Sequence, residues 1–155
     1  MNLRVLKKSQ RQPEAGDIFV MQLGDTTFLF GRVVSIDANP LGVGGGILVY
    51  IYRAKACCKT SVPTLDRNRL LIPPLITNRL PWSRGYFEHI QSRPIAIGDV
   101  LEKHRFWDPL RGVFRDEQGN VVPDPFESCS TWGLHSFQTI DDELSKALGL
   151  QLPGD

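Results

Sequence analysis

The 155-residue chain reads as a mostly-β protein, a small twisted or barrel-like antiparallel sheet completed by one C-terminal amphipathic helix. Three observations predict this. Apolar residues come in short runs rich in β-branched and aromatic side chains, and 14 glycines and 11 prolines punctuate those runs. Only one stretch, near the C-terminus, combines helical spacing with a cap and a stop signal. A hydrophobic content of 41% with 23% charged residues suits a core that needs no disulfide staples. The expected organisation is a flexible basic segment over residues 1–15, a single globular domain over 16–149 and a tail over 150–155.

Taken in order, Gly16 to Leu23 reads as a strand opened by a Gly-Asp break. Gly24-Asp25 separates it from Thr26 to Ile36, predicting a hairpin with a two-residue type II′ turn. Gly31 inside the second strand predicts a bulge or a sharp bend. Asn39 to Gly46 is a glycine-rich connection. It lacks the third glycine of G-x-G-x-x-G, because Ile47 stands there, and a strand follows it instead of a helix, so it reads as a loop and not a phosphate cradle.

Ile47 to Arg53 is apolar almost throughout, the pattern of a central strand buried on both faces. Between Ala54 and Pro81 the pattern breaks into short pieces, with Leu70, Leu71, Ile72, Leu75 and Ile76 as core anchors and a short helix near Thr64 to Leu70. Gly85 to Gln91 reads as a strand, Ile97 to Val100 as a turn leading to Leu101–Phe106, and Val113–Arg115 with Val121-Val122 as a hairpin. The helix spans Ile140 to Leu148, with Thr139 as N-cap, Asp142 three residues on, Ile140, Leu144, Ala147 and Leu148 on one face, and Gly149 at its stop.

Motif spacing excludes several chemistries. Cys57, Cys58 and Cys129 offer neither a disulfide framework nor a C-x-x-C pair, which suits a reducing compartment. His89, His104 and His135 form no H-E-x-x-H or i, i+4 pair, so no metal and no cofactor is expected. No G-x-S-x-G elbow is present; Gly133-Leu134-His135-Ser136 is not one. Arg79, Arg84, Glu88 and His89 lie close in sequence and leave a ribonuclease reading open. No apolar stretch reaches the ~18 residues of a membrane span, and residues 1–14 hold no signal-peptide core, so the expected location is cytoplasmic.

The formal net charge of +1 hides an asymmetry. Residues 1–100 hold 13 Lys and Arg against 7 Asp and Glu, a net of +6, whereas residues 101–155 hold 5 against 10, a net of −5. Aromatic residues crowd the second half: Trp82, Tyr86, Phe87, Phe106, Trp107, Phe114, Phe126, Trp132 and Phe137, interleaved with Arg79, Arg84, Arg105 and Arg111. Such a mixture occurs at interface hot spots and on single-stranded nucleic-acid platforms, but most of these rings are expected in the core. Near-zero net charge weighs against a nucleic-acid partner.

The run Pro73 to Glu88 (PPLITNRLPWSRGYFE), then Asp99-Val100-Leu101 with His104 and Phe106, Asp116 to Gly119, and Trp132 to Phe137 with Ala147-Leu148-Gly149 resembles the immunity protein 26 family of bacterial polymorphic toxin systems. Gly16 to Phe19 and Phe30 to Val33 are similar as well. The likeness runs in order over about residues 16–149. It implies a β-rich domain that protects its producing cell by binding a cognate toxin domain, with no catalytic residues. The acidic residues Asp116, Glu117, Asp124 and Glu127 are the candidate contacts, expected on one exposed face where a basic partner docks. The alternative is a small barrel RNase or toxin of the MazF and PemK kind, raised by the Gly-Asp-Ile-Phe-Val opening strand.

Overall fold

The computed structural model describes residues 1–40 and 44–154, and strand outweighs helix, 33% against 13%. A six-stranded sheet is built from β1 (Asp17–Met21), β2 (Phe28–Ala38), β3 (Gly46–Ala56), β4 (Leu75–Thr77), β5 (Glu88–Ser92) and β10 (Leu134–His135), in the order β10-β4-β3-β2-β1-β5. A second, four-stranded sheet has the order β8-β7-β6-β9, from β6 (Phe106–Asp108), β7 (Val113–Arg115), β8 (Val121–Val122) and β9 (Ser130–Thr131). Pairing is antiparallel except for β10 on β4 and β9 on β6, which are parallel. The large sheet stays open between its β10 and β5 edges, so the twisted alternative holds and no barrel closes.

Both faces of the large sheet are covered around β1 and the first seven residues of β3, which is why those stretches read as apolar almost throughout. On one face Phe19, Met21, Val33, Val49 and Ile51 pack against Trp82, Phe87, Ile140 and Leu144. Trp82 belongs to the one-turn helix α1 (Leu80–Ser83), Ile140 and Leu144 to α2 (Phe137–Leu148). On the other face Val34, Leu48, Tyr50, Tyr52 and Ile76 pack against Phe106, while Ile18, Val20 and Phe30 form a smaller cluster beside them. Gly31 sits at a register shift of the β2–β3 ladder, as expected, directly beneath the Phe19 ring.

Several boundaries differ from expectation, each for a local reason. The β1–β2 connection is six residues long, not two, because Leu23 turns inward and bridges Leu3 while the Asp25 carboxylate caps Thr27 N–H at 2.9 Å. Residues 64–70 are not helical: Asp66 closes a turn on Asn68 N–H at 2.9 Å, and Leu70 bridges Tyr52. Tyr86 and Phe87 N–H groups both turn back to the Pro81 carbonyl, which delays β5 to Glu88. Leu101 to Arg105 runs as irregular chain, and only Phe106–Asp108 is strand. The β7–β8 hairpin is where it was expected, and its Asp116 carboxylate accepts Gln118 and Asn120 N–H.

The N-cap of α2 is Ser136, not Thr139: the Ser136 hydroxyl accepts Thr139 N–H at 3.2 Å, putting Thr139 inside the first turn. Gly149, at φ +71°, ends the helix as expected. The inward face of α2 also carries Asp141 and Ser145, which hold the N-terminus: Leu3 N–H donates to Asp141 at 2.6 Å and the Asn2 amide to Ser145 Oγ at 2.9 Å. Residues 1–15, expected as a flexible lead-in, thus cross the fold with Leu3 buried, Leu6 N–H on the Gly85 carbonyl and Ser9 N–H on that of Trp82. Of the glycine-rich connection, Leu41, Gly42 and Val43 lie outside the described residues, as does Asp155 of the tail. No described helix is long and apolar enough to cross a membrane.

Candidate interaction surface

The register of the small sheet separates its two faces. Trp107 lies opposite Phe114 and Thr131, and Phe114 opposite Val122, so these four side chains share one face. Phe106, next in sequence to Trp107, points the other way and is fully buried in the core against Trp132. The Trp107 row therefore faces outward. Its two rings meet at 4.8 Å, and neither belongs to any of the buried clusters.

Leu110 and Phe126, like Ile97 and Val121, are strongly exposed apolar side chains. Leu110 is 92% exposed at the tip of the β6–β7 turn, which Asp108 fixes by accepting Leu110 and Arg111 N–H and pairing with Arg115 at 2.8 Å. Phe126 is also 92% exposed. Its φ of +55° makes it the one non-glycine residue in the left-handed region among those described. A bulky exposed ring in that conformation lowers stability from both ends, through strained backbone and wetted apolar surface.

The predicted acidic contacts divide into two pairs. The Asp116 carboxylate is committed to its own turn, where it also accepts the Asn120 amide. Glu117 is half-buried and pairs with His104 Nδ1 at 3.2 Å. Asp124 and Glu127 are exposed on the loop that carries Phe126, with Asp124 accepting Phe126 N–H at 2.8 Å. Burial and the nearby Asp124 and Glu127 charges push the Cys129 thiol up.

Glu117 ends a chain that sequence spacing does not reveal. Tyr50 Oη lies 2.5 Å from His104 Nε2 and accepts Leu101 N–H at 2.9 Å. Hydroxyl, imidazole and carboxylate follow the order of a nucleophilic triad, but burial pushes the tyrosine up to about 12, the wrong direction for a nucleophile. The His104 hydrogen bond outweighs desolvation and holds the Glu117 carboxyl below its ordinary value. These bonds tie β3, the 101–105 segment and the β7–β8 turn together, fixing the small sheet on the large one.

Of the residues behind the ribonuclease reading, Arg84, Glu88 and His89 each engage a different partner. Glu88 pairs with Lys59 at 2.9 Å, and Arg84 sits 5.7 Å from the Phe137 ring centre. His89 lies 3.7 Å from Asp17, which Arg11 grips at 2.5 Å, Ser92 Oγ at 2.9 Å and Glu14 N–H at 2.8 Å. Burial pushes the His89 imidazole below its ordinary value. His135 Nε2 donates to the Thr131 carbonyl at 2.9 Å. Cys57 and Cys58 are exposed, and no group of three or more metal-ligating side chains occurs among the described residues.

Comparison with family models matches residues 14–110 to a family described as immunity protein 26. Neither the curated proteins nor the solved structures compared with the chain include a match. The matched span takes in β1 through β6 and ends at Leu110, so the motifs at 116–119, 132–137 and 147–149 lie beyond it.

Proposed function

The chain belongs to the immunity protein 26 family, and on that premise we propose that it binds and neutralises a cognate bacterial polymorphic toxin domain in the cytoplasm of the producing cell, by occupation and without catalysis. Residues 16–149 act as one domain in this reading. The family match carries the function. The contact face we propose is the outer side of the small sheet, with Trp107, Leu110 and Phe126 as apolar anchors and Asp124 and Glu127 as an acidic rim. Exposed aromatic and aliphatic anchors ringed by charge are what a protein partner desolvates on docking. Asp116 and Glu117 shape the supporting turn instead of meeting the partner directly.

Co-expression tests it. The toxin domain encoded beside this gene is expected to stop growth alone and to be tolerated when the chain is present. A Leu110→Ser, Phe126→Ser double variant is expected to lose that protection while its unfolding midpoint stays unchanged. Continued toxicity with the wild-type chain sinks the function; full protection by the double variant sinks only the face. RNA cleavage that disappears in His89→Ala would argue for the ribonuclease alternative instead.

A further inference from the structure

The irregular segments that join the two sheets enclose an open groove of about 870 Å³. Leu70, Leu71, Ile72 and Leu101 give it apolar lining. Arg53, Arg67, Lys103 and Arg105 line it as cations. Elsewhere Arg11, Arg32, Lys55, Lys59, Arg115 and Lys146 meet carboxylates, and other surface cations such as Arg4, Arg79 and Arg111 meet none within 4.0 Å among the described residues; the groove is where four such cations gather. The four groove cations meet none within 4.0 Å among the described residues. Arg67 and Arg105 donate to the Val100 and His104 carbonyls, which fixes their guanidinium groups, and with Glu102 and Glu127 also in the lining the groove keeps an excess of positive charge. Arg53 and Lys103 stand at the exposed rim.

We propose that this groove takes an extended acidic peptide segment of a protein partner, its carboxylates on these four cations and its apolar side chains on the leucines. Arginine forks held in place by backbone carbonyls are preorganised for carboxylates. Two features favour a peptide over a nucleic acid. The one aromatic ring of the lining, His104, is buried with both nitrogens engaged by Tyr50 and Glu117 and is not presented as a stacking platform, and Leu70, Leu71, Ile72 and Leu101 offer apolar contacts that suit peptide side chains and not a sugar-phosphate backbone. The groove borders the proposed toxin face along the 125–129 loop, where Glu127 lines both, but its four cations lie outside that face, and it rests on the toxin-binding reading only for which protein carries the segment.

The test uses the full chain and a dye-labelled peptide alternating Glu and Leu, followed by fluorescence anisotropy. Saturable binding that weakens with salt is expected, with about a tenfold loss in Arg53→Glu, Lys103→Glu and a smaller loss in Arg53→Gln, Lys103→Gln. Lys146→Glu on α2 is expected to bind as wild type, and so is Leu110→Ser, Phe126→Ser, which separates this groove from the proposed toxin face. Absence of saturable binding overturns the proposal. So does equal binding by the charge-reversed variant with an unchanged unfolding midpoint, or tighter binding of a thymidine oligonucleotide than of the acidic peptide.

Discussion

The large sheet is packed on both faces and the small sheet on one, and this difference divides the labour of the molecule. In the large sheet, β2 and β3 run 11 residues each, and every residue of β1 is buried. In the small sheet no strand exceeds three residues, and its outer row is held by neighbours on the same face and little else. Burial of apolar area, at roughly 25 cal/mol per Å², is concentrated in the first. The second contributes less to stability and presents more to a partner. The family match covers the large sheet apart from β10 and takes in β6 of the small sheet, stopping before β7. Substitutions in the two sheets should therefore separate stability from binding.

The largest effect is expected at Phe87, fully buried with its ring stacked on Phe19 at 4.4 Å and edge-on to Trp82 at 5.1 Å. Phe87→Ala should lower unfolding free energy by about 3–5 kcal/mol in urea titration, because the cavity is walled by two other rings and cannot collapse. A loss below about 1 kcal/mol would break the claim that this side carries the stability.

Next comes Asp17, whose carboxylate is 1% exposed on β1. Burial alone would raise its pKa, but the Arg11 guanidinium, Glu14 N–H and Ser92 hydroxyl outweigh it and hold the carboxyl below its ordinary value. A depressed folded pKa means that the stabilisation is present above the ordinary carboxylate range and disappears as pH falls through the folded value. Asp17→Asn should therefore cost roughly 1.5–3 kcal/mol at neutral pH, and stability at low pH should converge with wild type. Parallel acid-unfolding curves for the two proteins would refute it.

Gly31→Ala sharpens the comparison within the large sheet. The added methyl would lie 2.3 Å from Phe19 Cζ, and the ring is itself locked between Trp82 and Phe87. A cost of about 1–3 kcal/mol is expected from thermal unfolding, whereas an alanine accepted without loss would mean that the ring has room to retreat.

Legibility follows the same division. The long strands, the β7–β8 hairpin and the Gly149 stop announce themselves through periodicity and turn chemistry that act over a few residues. Strands of two or three residues, such as β9 and β10, are too short to have a period. Sequence alone points to Thr139 as the cap although Ser136 carries a cap-forming hydroxyl too, and only the hydrogen bond between them tells which leads. Tyr50, His104 and Glu117 meet across 54 and 13 positions, a distance no local motif bridges. Composition alone treated the aromatic residues as one population expected mostly in the core. Trp82, Phe87 and Phe106 are buried there, while Trp107 and Phe126 face solvent.

The smallest stability effect, and the sharpest contrast, is expected at Phe126. Glycine adopts a φ of +55° without strain, so Phe126→Gly relieves the backbone of a penalty of about 1–2 kcal/mol. Part of that is offset by the extra freedom glycine gains in the unfolded chain, about 0.4–1 kcal/mol. The ring contributes little burial at 92% exposure, so its loss adds almost nothing. The variant should melt at or slightly above the wild-type temperature and yet lose protection against the toxin domain. Destabilisation would show that the ring serves the fold. Unchanged protection would place the contact elsewhere on the chain, and a gain in stability bought with a loss of binding is the outcome that assigns this strained residue to recognition.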